Sequence, residues 1–124
     1  MKAVTLWLAL DEVNEVNGGI KYYSGSHKKG LRNHQSSGVL GFSQGLCLED
    51  PILSESEAIV PNCGVGTLLS HDALMVHSAP RNQSNRPRRS LGFIYYGISV
   101  EINETEAGEY QKLLDKDLKK KGLV

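Results

Sequence analysis

The 124-residue sequence is short of cysteine and aromatic residues and has no excess of either charge. Its two cysteines make neither a disulfide framework nor a zinc-binding spacing, so a reducing, cytoplasmic location is favoured. Basic and acidic residues both number 14, and a net charge of zero gives no global field toward nucleic acid or an anionic membrane. No apolar run approaches the length of a membrane span. These absences leave a small globular domain acting on small molecules or proteins.

The pattern of apolar residues predicts a mainly β chain that ends in one helix. Strands are predicted at residues 4–10, 20–23, 58–61, 66–69, 74–77 and 89–100, with a turn at 62–64 joining the third and fourth. Residues 24–45, rich in glycine and serine, are predicted to form a long binding or lid loop. An amphipathic helix is predicted at 104–121, because acidic residues begin it, lysines end it and Gly122 follows. Short strands without βαβ alternation indicate a sandwich or barrel.

The strongest chemical signal is a histidine followed eleven residues later by an arginine. His77 ends an apolar strand, and Arg88 stands at the start of the next one. A polar loop at residues 80–87 would return the chain, so that both side chains face one cavity on adjacent antiparallel strands. Ser90 and Gly92 share the arginine's strand face and leave room there. Since a guanidinium binds a carboxylate through two charge-assisted hydrogen bonds, this pattern predicts a pocket for a small dicarboxylate.

Both residues also have simpler interpretations. A lone histidine is most often a satisfied core or loop residue, and His71 is interpreted in that way, as a strand-end side chain bonded to the backbone. The arginines would equally form a solvated loop or a phosphate-binding patch. That patch would consist of Arg81, Arg86, Arg88 and Arg89.

Four short motifs in a fixed order favour the catalytic interpretation. They are W-L-A-L at residues 7–10, N-G-G at 17–19, G-S-H-K at 25–28, and His77 with Asn82 and Arg88. In this order the series resembles the phytanoyl-CoA dioxygenase family over about residues 4–97. The resemblance implies a double-stranded β-helix of the jelly-roll or cupin type, and it implies hydroxylation with Fe(II) and 2-oxoglutarate as cofactor and co-substrate.

The resemblance also assigns roles to individual residues. His77 matches an iron-ligating histidine, and Arg88 matches the arginine that binds the far carboxylate of 2-oxoglutarate. Trp7 matches an aromatic residue beside the co-substrate. Gly25, Ser26 and His27 match a loop motif near the pocket mouth, with a mainly structural role. Ala79 stands where the family often has a serine that holds 2-oxoglutarate, and Ser78 or Ser90 is the candidate replacement.

The sequence departs from the family in its iron ligands. The family's H-x-D or H-x-E iron ligands lie a short way upstream of the tryptophan strand, and this sequence starts three residues before that strand. The expected facial triad of two histidines and a carboxylate is therefore represented by His77 alone. The chain is predicted to be a single partial domain, incomplete at its N-terminus. Residues 1–103 would form the β-helix core, and 104–122 the terminal helix.

Three hypotheses follow. The chain is a shortened form of a dioxygenase acting on a small-molecule substrate, or a non-catalytic β-helix protein that binds a small acid or a protein partner. The third, a nucleic-acid binder, is disfavoured because aromatic residues make up only 6% and do not alternate with the arginines. If early strands are absent, residues 4–10 are expected to form an exposed strand edge through which the chain associates with itself.

Overall fold

A computed structural model describes residues 2–39, 42–47, 49–55 and 57–122. These residues form eight β-strands, a short 3-10 helix and two α-helices. The strands are β1 (Ala3–Ala9), β2 (Lys21–Tyr23), β3 (His34–Val39), β4 (Phe42–Leu46), β5 (Ala58–Ile59), β6 (Leu68–Asp72), β7 (His77–Ser78) and β8 (Ser90–Tyr96). The 3-10 helix is Ser26–Lys29, and the α-helices are α1 (Ile52–Glu55) and α2 (Glu104–Lys120). The chain is thus mainly β with one long C-terminal helix, as the sequence predicts.

Two three-stranded antiparallel sheets make up the centre of the fold. The first has the order β6-β1-β8 and the second the order β5-β2-β7, while β3 and β4 pair separately as a hairpin. From β5 onward, successive strands therefore alternate between the sheets, as in a double-stranded β-helix. This topology brings chain segments that are distant in sequence to one end of the two sheets.

The core lies where the inner faces of the two sheets meet. Its buried members are Trp7, Ala9, Val13, Ile20 and Cys63, with the partly buried Tyr22 and Leu69 packed against them. Trp7 and Ala9 are two residues apart on β1 and so share a face, while Leu6 and Leu8 lie on the other. Because Trp7 pairs with Leu69 on β6, the same face of both strands reaches the core. The alternation in β1 thereby sets which side of the first sheet is inside.

Residues 24–45 are not the structureless loop predicted from their composition. They contain the 3-10 helix and the hairpin of β3 and β4, whose register shifts between Ser36 and Val39. Polar and glycine-rich strands lack the apolar alternation by which strands are recognised, so the sequence does not predict the pairing of β3 with β4. Residues 40 and 41, between β3 and β4 in the sequence, lie outside the described residues.

Two predicted strand pairings are wrong. Residues 58–61 and 66–69 do not form a hairpin, because β5 pairs with β2 and β6 pairs with β1. Between them Cys63 makes a bridge to Val13, which ties the connecting segment to the chain beyond β1. Likewise β7 pairs with β2 and β8 with β1, so these two strands belong to different sheets and are not adjacent. The segment between His77 and Arg88 therefore crosses from one sheet to the other.

The edge strand predicted at residues 4–10 is also wrong. β1 is the central strand of its sheet, hydrogen-bonded to β6 on one side and to β8 on the other. Trp7 is accordingly only 9% exposed. The edges of this sheet, within the described part of the chain, are β6 and β8.

The C-terminal helix has the expected beginning and end. The side chain of Asn103 accepts a hydrogen bond from the backbone N–H of Glu106 at 3.2 Å and so caps the N-terminus. Lysines occupy the last turn, and Gly122 follows with a positive φ of 66°. No helix among the described residues combines the length and apolarity that a membrane crossing would need.

Candidate functional site

A cavity of about 680 Å³ opens at the end of the two sheets where the predicted site residues meet. Trp7 and Ser90 line it from the first sheet, and His77 lines it from the second. Arg88, in the segment just before β8, completes this group. The cavity has the size of an ordinary small-molecule site. His77 and Arg88 thus share one cavity as predicted, although their strands are not neighbours.

His77 is exposed to the cavity and its imidazole is oriented by the backbone. Its Nδ1 lies 2.9 Å from the carbonyl oxygen of Met75. Because a carbonyl only accepts, Nδ1 carries the hydrogen, and in the neutral ring Nε2 carries the lone pair. Metal-binding histidines are commonly held in this way, with one ring nitrogen donating to a carbonyl and the other free to coordinate. The orientation of His77 therefore suits a metal ligand.

Arg88 is half-buried, and its side chain has no protein partner among the described residues. Its Nε is buried without a hydrogen-bond acceptor. A buried N–H without an acceptor is costly, since burial removes water and no protein group replaces it. Located on the wall of the cavity, Arg88 is suited to binding the carboxylate of a ligand.

The neighbouring arginines are used differently. Arg89 donates to Asp11 through Nε, Nη2 and its backbone N–H, at 3.1, 2.9 and 2.6 Å. These hydrogen bonds lower the pKa of Asp11 from 3.8 to about 2. Arg86 forms an ion pair with Glu12 at 3.1 Å. Two members of the predicted phosphate-binding patch are therefore neutralised by carboxylates.

Trp7 and Ser90 both line the cavity from the first sheet. Trp7 lies opposite Gly92 in the register of β1 and β8, and Ser90 lies opposite Ala9. Side chains directly opposite share a face, so the strand face of Ser90 and Gly92 is also the face of Trp7. Ala79, Ser78 and Ser90 all line the cavity. Both candidate replacements for the missing serine are therefore in reach of a ligand there.

The loop motif of Gly25, Ser26 and His27 lies behind the cavity wall and does not line it. Gly25 has a positive φ of 72° and begins the 3-10 helix. The hydroxyl of Ser26 is fully buried, accepts a hydrogen bond from the N–H of Val76 at 2.8 Å and donates to the sulfur of Met75 at 3.2 Å. His27 is half-buried, with a buried Nδ1 that has no hydrogen-bond partner among the described residues. The motif is thus attached to the segment that precedes His77.

Asparagine side chains shape both the N-G-G turn and the segment that follows His77. The buried side chain of Asn17 donates to the carbonyl of Glu12 at 2.6 Å and accepts from the N–H of Asn14 at 2.8 Å. Within the crossing segment, Asn82 accepts from the N–H of Ser84 at 2.8 Å and donates to the carbonyl of Arg86 at 2.7 Å. Asn82 thereby shapes the segment that leads to Arg88.

The sequence analysis does not predict that His71 and Tyr22 lie next to His77. The ring centroids of His71 and His77 are 5.0 Å apart, and that of Tyr22 is 5.1 Å from His71 and 6.1 Å from His77. His71 is bonded to the backbone as predicted, through Nδ1 and the carbonyl of Asp72 at 3.0 Å. Burial, together with the neighbouring His77, lowers its pKa. Strand alternation places His71 on the face of Leu69, but only three-dimensional pairing brings β6 and β7 together.

The hairpin and its flanks form the remaining wall of the cavity. Leu31, Arg32, Gln44 and Leu46 line it on that side. Arg32 forms a largely buried ion pair with Asp50, which lowers the pKa of the Asp50 carboxyl. The segment predicted to be a lid is therefore a structured wall, anchored by an ion pair.

The donors present fit 2-oxoglutarate and do not complete an iron site. Arg88 supplies an unpaired guanidinium on the cavity wall for a carboxylate. No group of three or more histidine, cysteine, aspartate or glutamate residues, among those the structure describes, is placed to hold a metal ion. His77 is one suitable ligand, whereas a non-haem iron site of this type needs two histidines and a carboxylate.

The sequence model of the phytanoyl-CoA dioxygenase (PhyH) family matches residues 1–90. The chain belongs to the phytanoyl-CoA dioxygenase family. This family depends on iron and 2-oxoglutarate. No curated protein matches the sequence. The family match covers the strands that carry Trp7 and His77 and ends at Ser90, the first residue of β8.

Two solved structures agree with the fold of a PhyH-family chain. One is the non-haem alpha-ketoglutarate-dependent epimerase SnoN from nogalamycin biosynthesis, with 22% identity, a TM-score of 0.55, and coverage of 75% of this chain and 31% of that one. The other is SnoN in complex with Fe3+, alpha-ketoglutarate and nogalamycin RO, with 25% identity, a TM-score of 0.60, and coverage of 77% and 35%. The chain therefore spans about a third of the length of these structures, and the fold is mainly β and cupin-like.

Proposed function

We propose that this chain forms the 2-oxoglutarate-binding side of an Fe(II)- and 2-oxoglutarate-dependent oxygenase site. Arg88 binds the far carboxylate of 2-oxoglutarate, with Trp7 beside the co-substrate and Ser90 as a further hydrogen-bond donor. His77 is one iron ligand. The observation that carries the proposal is the unpaired, half-buried guanidinium of Arg88 in the cavity that His77 also lines.

The rest of the iron site is proposed to come from an H-x-D pair upstream of residue 1. One observation supports this: the described residues contain no group of three or more possible metal ligands, although the chain belongs to an iron-dependent family. Iron supplies oxygen activation when bound. This chain's residues bind 2-oxoglutarate, orient one ligand and form the cavity wall.

The substrate is proposed to be a small molecule held by the hairpin wall. The cavity of about 680 Å³ is larger than 2-oxoglutarate needs, and Leu31, Leu46 and Leu74 add apolar surface to its lining. Hydroxylation is the proposed reaction. The SnoN structures belong to an epimerase, so the same fold also supports a reaction other than hydroxylation.

A reducing cytoplasmic compartment is proposed for the chain. Cys47 and Cys63 are both free thiols, which supports this location.

Binding of 2-oxoglutarate provides the direct test. We expect the wild-type chain to bind 2-oxoglutarate, measured by calorimetry, and Arg88→Ala to weaken binding at least tenfold. The reason is that hydrogen bonds to charged groups contribute about 1.5–3 kcal/mol. Arg86→Ala is the matched control, because Arg86 is already paired with Glu12. Equal affinity of Arg88→Ala and wild type would refute the proposed role of Arg88.

A second candidate function is a non-catalytic protein that binds a small acid through Arg88. It is favoured by the lack of a three-ligand cluster among the described residues. Turnover of 2-oxoglutarate in the absence of a substrate distinguishes the two functions. A protein extended upstream to include an H-x-D pair should convert 2-oxoglutarate to succinate with Fe(II). Binding without turnover in the extended protein would support the non-catalytic function.

A further inference from the structure

Ser26 is the only fully buried serine among the described residues whose hydroxyl reaches across the fold to the segment before His77. It is 0% exposed. Its two hydrogen bonds reach residues 49 and 50 positions away, the sulfur of Met75 and the N–H of Val76. Those are the two residues immediately before His77. The hydroxyl therefore joins the loop motif to the backbone that leads into the proposed iron ligand.

We propose that Ser26 is a positioning residue for His77. The buried hydroxyl fixes the backbone of Met75 and Val76, and the carbonyl of Met75 in turn fixes the imidazole through Nδ1 at 2.9 Å. Ser26 does not line the cavity and touches no ligand there. It acts through the peptide groups that separate it from His77.

The surrounding hydrogen bonds leave this segment few alternative positions. The N–H of Met75 donates to the carbonyl of Asp72 at 2.9 Å, and the carbonyl of Val76 accepts from the N–H of Tyr23 at 3.0 Å. The N–H of Val76 depends on Ser26. Without the hydroxyl, a partly buried N–H would lack a partner and the segment would shift to find one. Since a binding group must be held within about 0.5 Å, a small shift matters at His77.

The metal-independent test is nuclear magnetic resonance of the histidine rings and backbone amides. In Ser26→Ala we expect the Val76 amide to exchange at least tenfold faster. We also expect the ring nitrogen signals of His77 to move away from the tautomer with hydrogen on Nδ1. Ser24→Ala is the matched control, because Ser24 lies in the same loop with an exposed side chain. The control should leave both signals unchanged.

A second variant preserves the test if the alanine variant does not fold. Ser26→Cys keeps nearly the same shape with a weaker acceptor, and it should give intermediate exchange and an intermediate His77 signal. Folded Ser26 variants with wild-type His77 ring signals would overturn the proposal, even if the Val76 amide exchanged faster. In that case Ser26 would only stabilise the loop.

The significance of Ser26 for catalysis rests on the proposed function. Fe(II) affinity tests whether Ser26 affects the proposed iron site. In the protein extended upstream, measured without oxygen, Ser26→Ala should bind Fe(II) at least tenfold more weakly than Ser24→Ala. Equal Fe(II) affinity of the two variants would also overturn the positioning role. If the extended wild type fails to bind Fe(II), the proposed function is wrong, while the ring signals of His77 still decide the role of Ser26.

Discussion

The α-carbon of Gly18 lies directly against the backbone carbonyl of Pro80. A β-carbon at position 18 would lie 2.5 Å from that carbonyl oxygen, a distance no real side chain tolerates. Two residues earlier in the chain, the carbonyl of Val16 accepts a hydrogen bond from the N–H of Gln83 at 3.1 Å. The N-G-G turn and the segment between His77 and Arg88 are therefore in backbone contact.

Replacing Gly18 with alanine is expected to destabilise the protein and displace this segment. Two costs add, because φ at this position is +82° and the new methyl meets backbone that cannot rotate away. We expect a loss of about 1–3 kcal/mol in the free energy of unfolding, as for other strained backbone positions. Denaturant unfolding measures it. Gly64→Ala is the control, since a β-carbon there meets nothing within 4 Å. Equal losses in both variants would contradict this role for Gly18.

How far the sequence predicts the fold depends on where the information for each element lies. β1, β2 and α2 are predictable because their signals are local: an apolar run, a turn before a short strand, and matched acidic and basic helix ends. The hairpin of β3 and β4 has no such signal. The predicted pairing of β5 with β6 is wrong because a turn between two short strands suggests a hairpin. The actual pairing of Trp7 with Leu69 depends on contacts between residues distant in sequence.

The candidate site divides in the same way. His77 and Arg88 are predicted from their spacing, Trp7 from the ordered motifs and Ser90 from its strand face, and the structure brings all four to one cavity. The crossing between sheets was missed, because strand order cannot be read from an eleven-residue spacing. The contact of His71 with His77 was missed for the same reason, since it requires the first and second sheets to face each other.

Acidic pH should weaken the contact between the carboxylate of Asp11 and Arg89, which joins the chain after β1 to the chain before β8. The pKa of Asp11 is lowered to about 2 by Arg89, so its contact stabilises the fold above the ordinary value of 3.8. That contribution is lost as the pH falls from about 4 to about 2. We expect Asp11→Asn to lose less stability than wild type over this range, measured by denaturant unfolding at each pH. Glu12→Gln, in an exposed ion pair with Arg86, is the control. Parallel losses in Asp11→Asn and wild type would argue against the contact.

Iron affinity should depend on residues that this chain does not supply. We expect the 124-residue chain not to bind Fe(II) in the micromolar range, because a single histidine cannot fix a metal that needs several ligands. Isothermal titration under anaerobic conditions measures this. His77→Ala should then change little in the chain alone and abolish binding in the upstream-extended protein. Tight Fe(II) binding by the 124-residue chain would reveal replacement ligands.

The outer face of the first sheet is an exposed apolar surface. The register pairs Leu6 with Phe93, and Leu8 with both Leu91 and Leu68, so these side chains share the face opposite the core. Leu68, Leu91, Phe93 and Tyr95 on this face are 43 to 57% exposed. Contiguous apolar surface of this kind usually marks an interface. We therefore predict that self-association, first expected from an exposed β1 edge, uses this face and the neighbouring edge of β8.

Replacing Phe93 with lysine should reduce self-association of the 124-residue chain. A charge at the centre of the face would have to be desolvated in any dimer that buries it, which costs several kcal/mol unless the charge is paired. We expect the wild type to dimerise or aggregate with rising concentration in sedimentation velocity, and Phe93→Lys to shift it toward monomer. Ile102→Lys is the matched control, because Ile102 is 78% exposed but lies outside the sheet. A wild-type chain that stays monomeric, or an equal effect of both lysines, would mean that this face does not drive association.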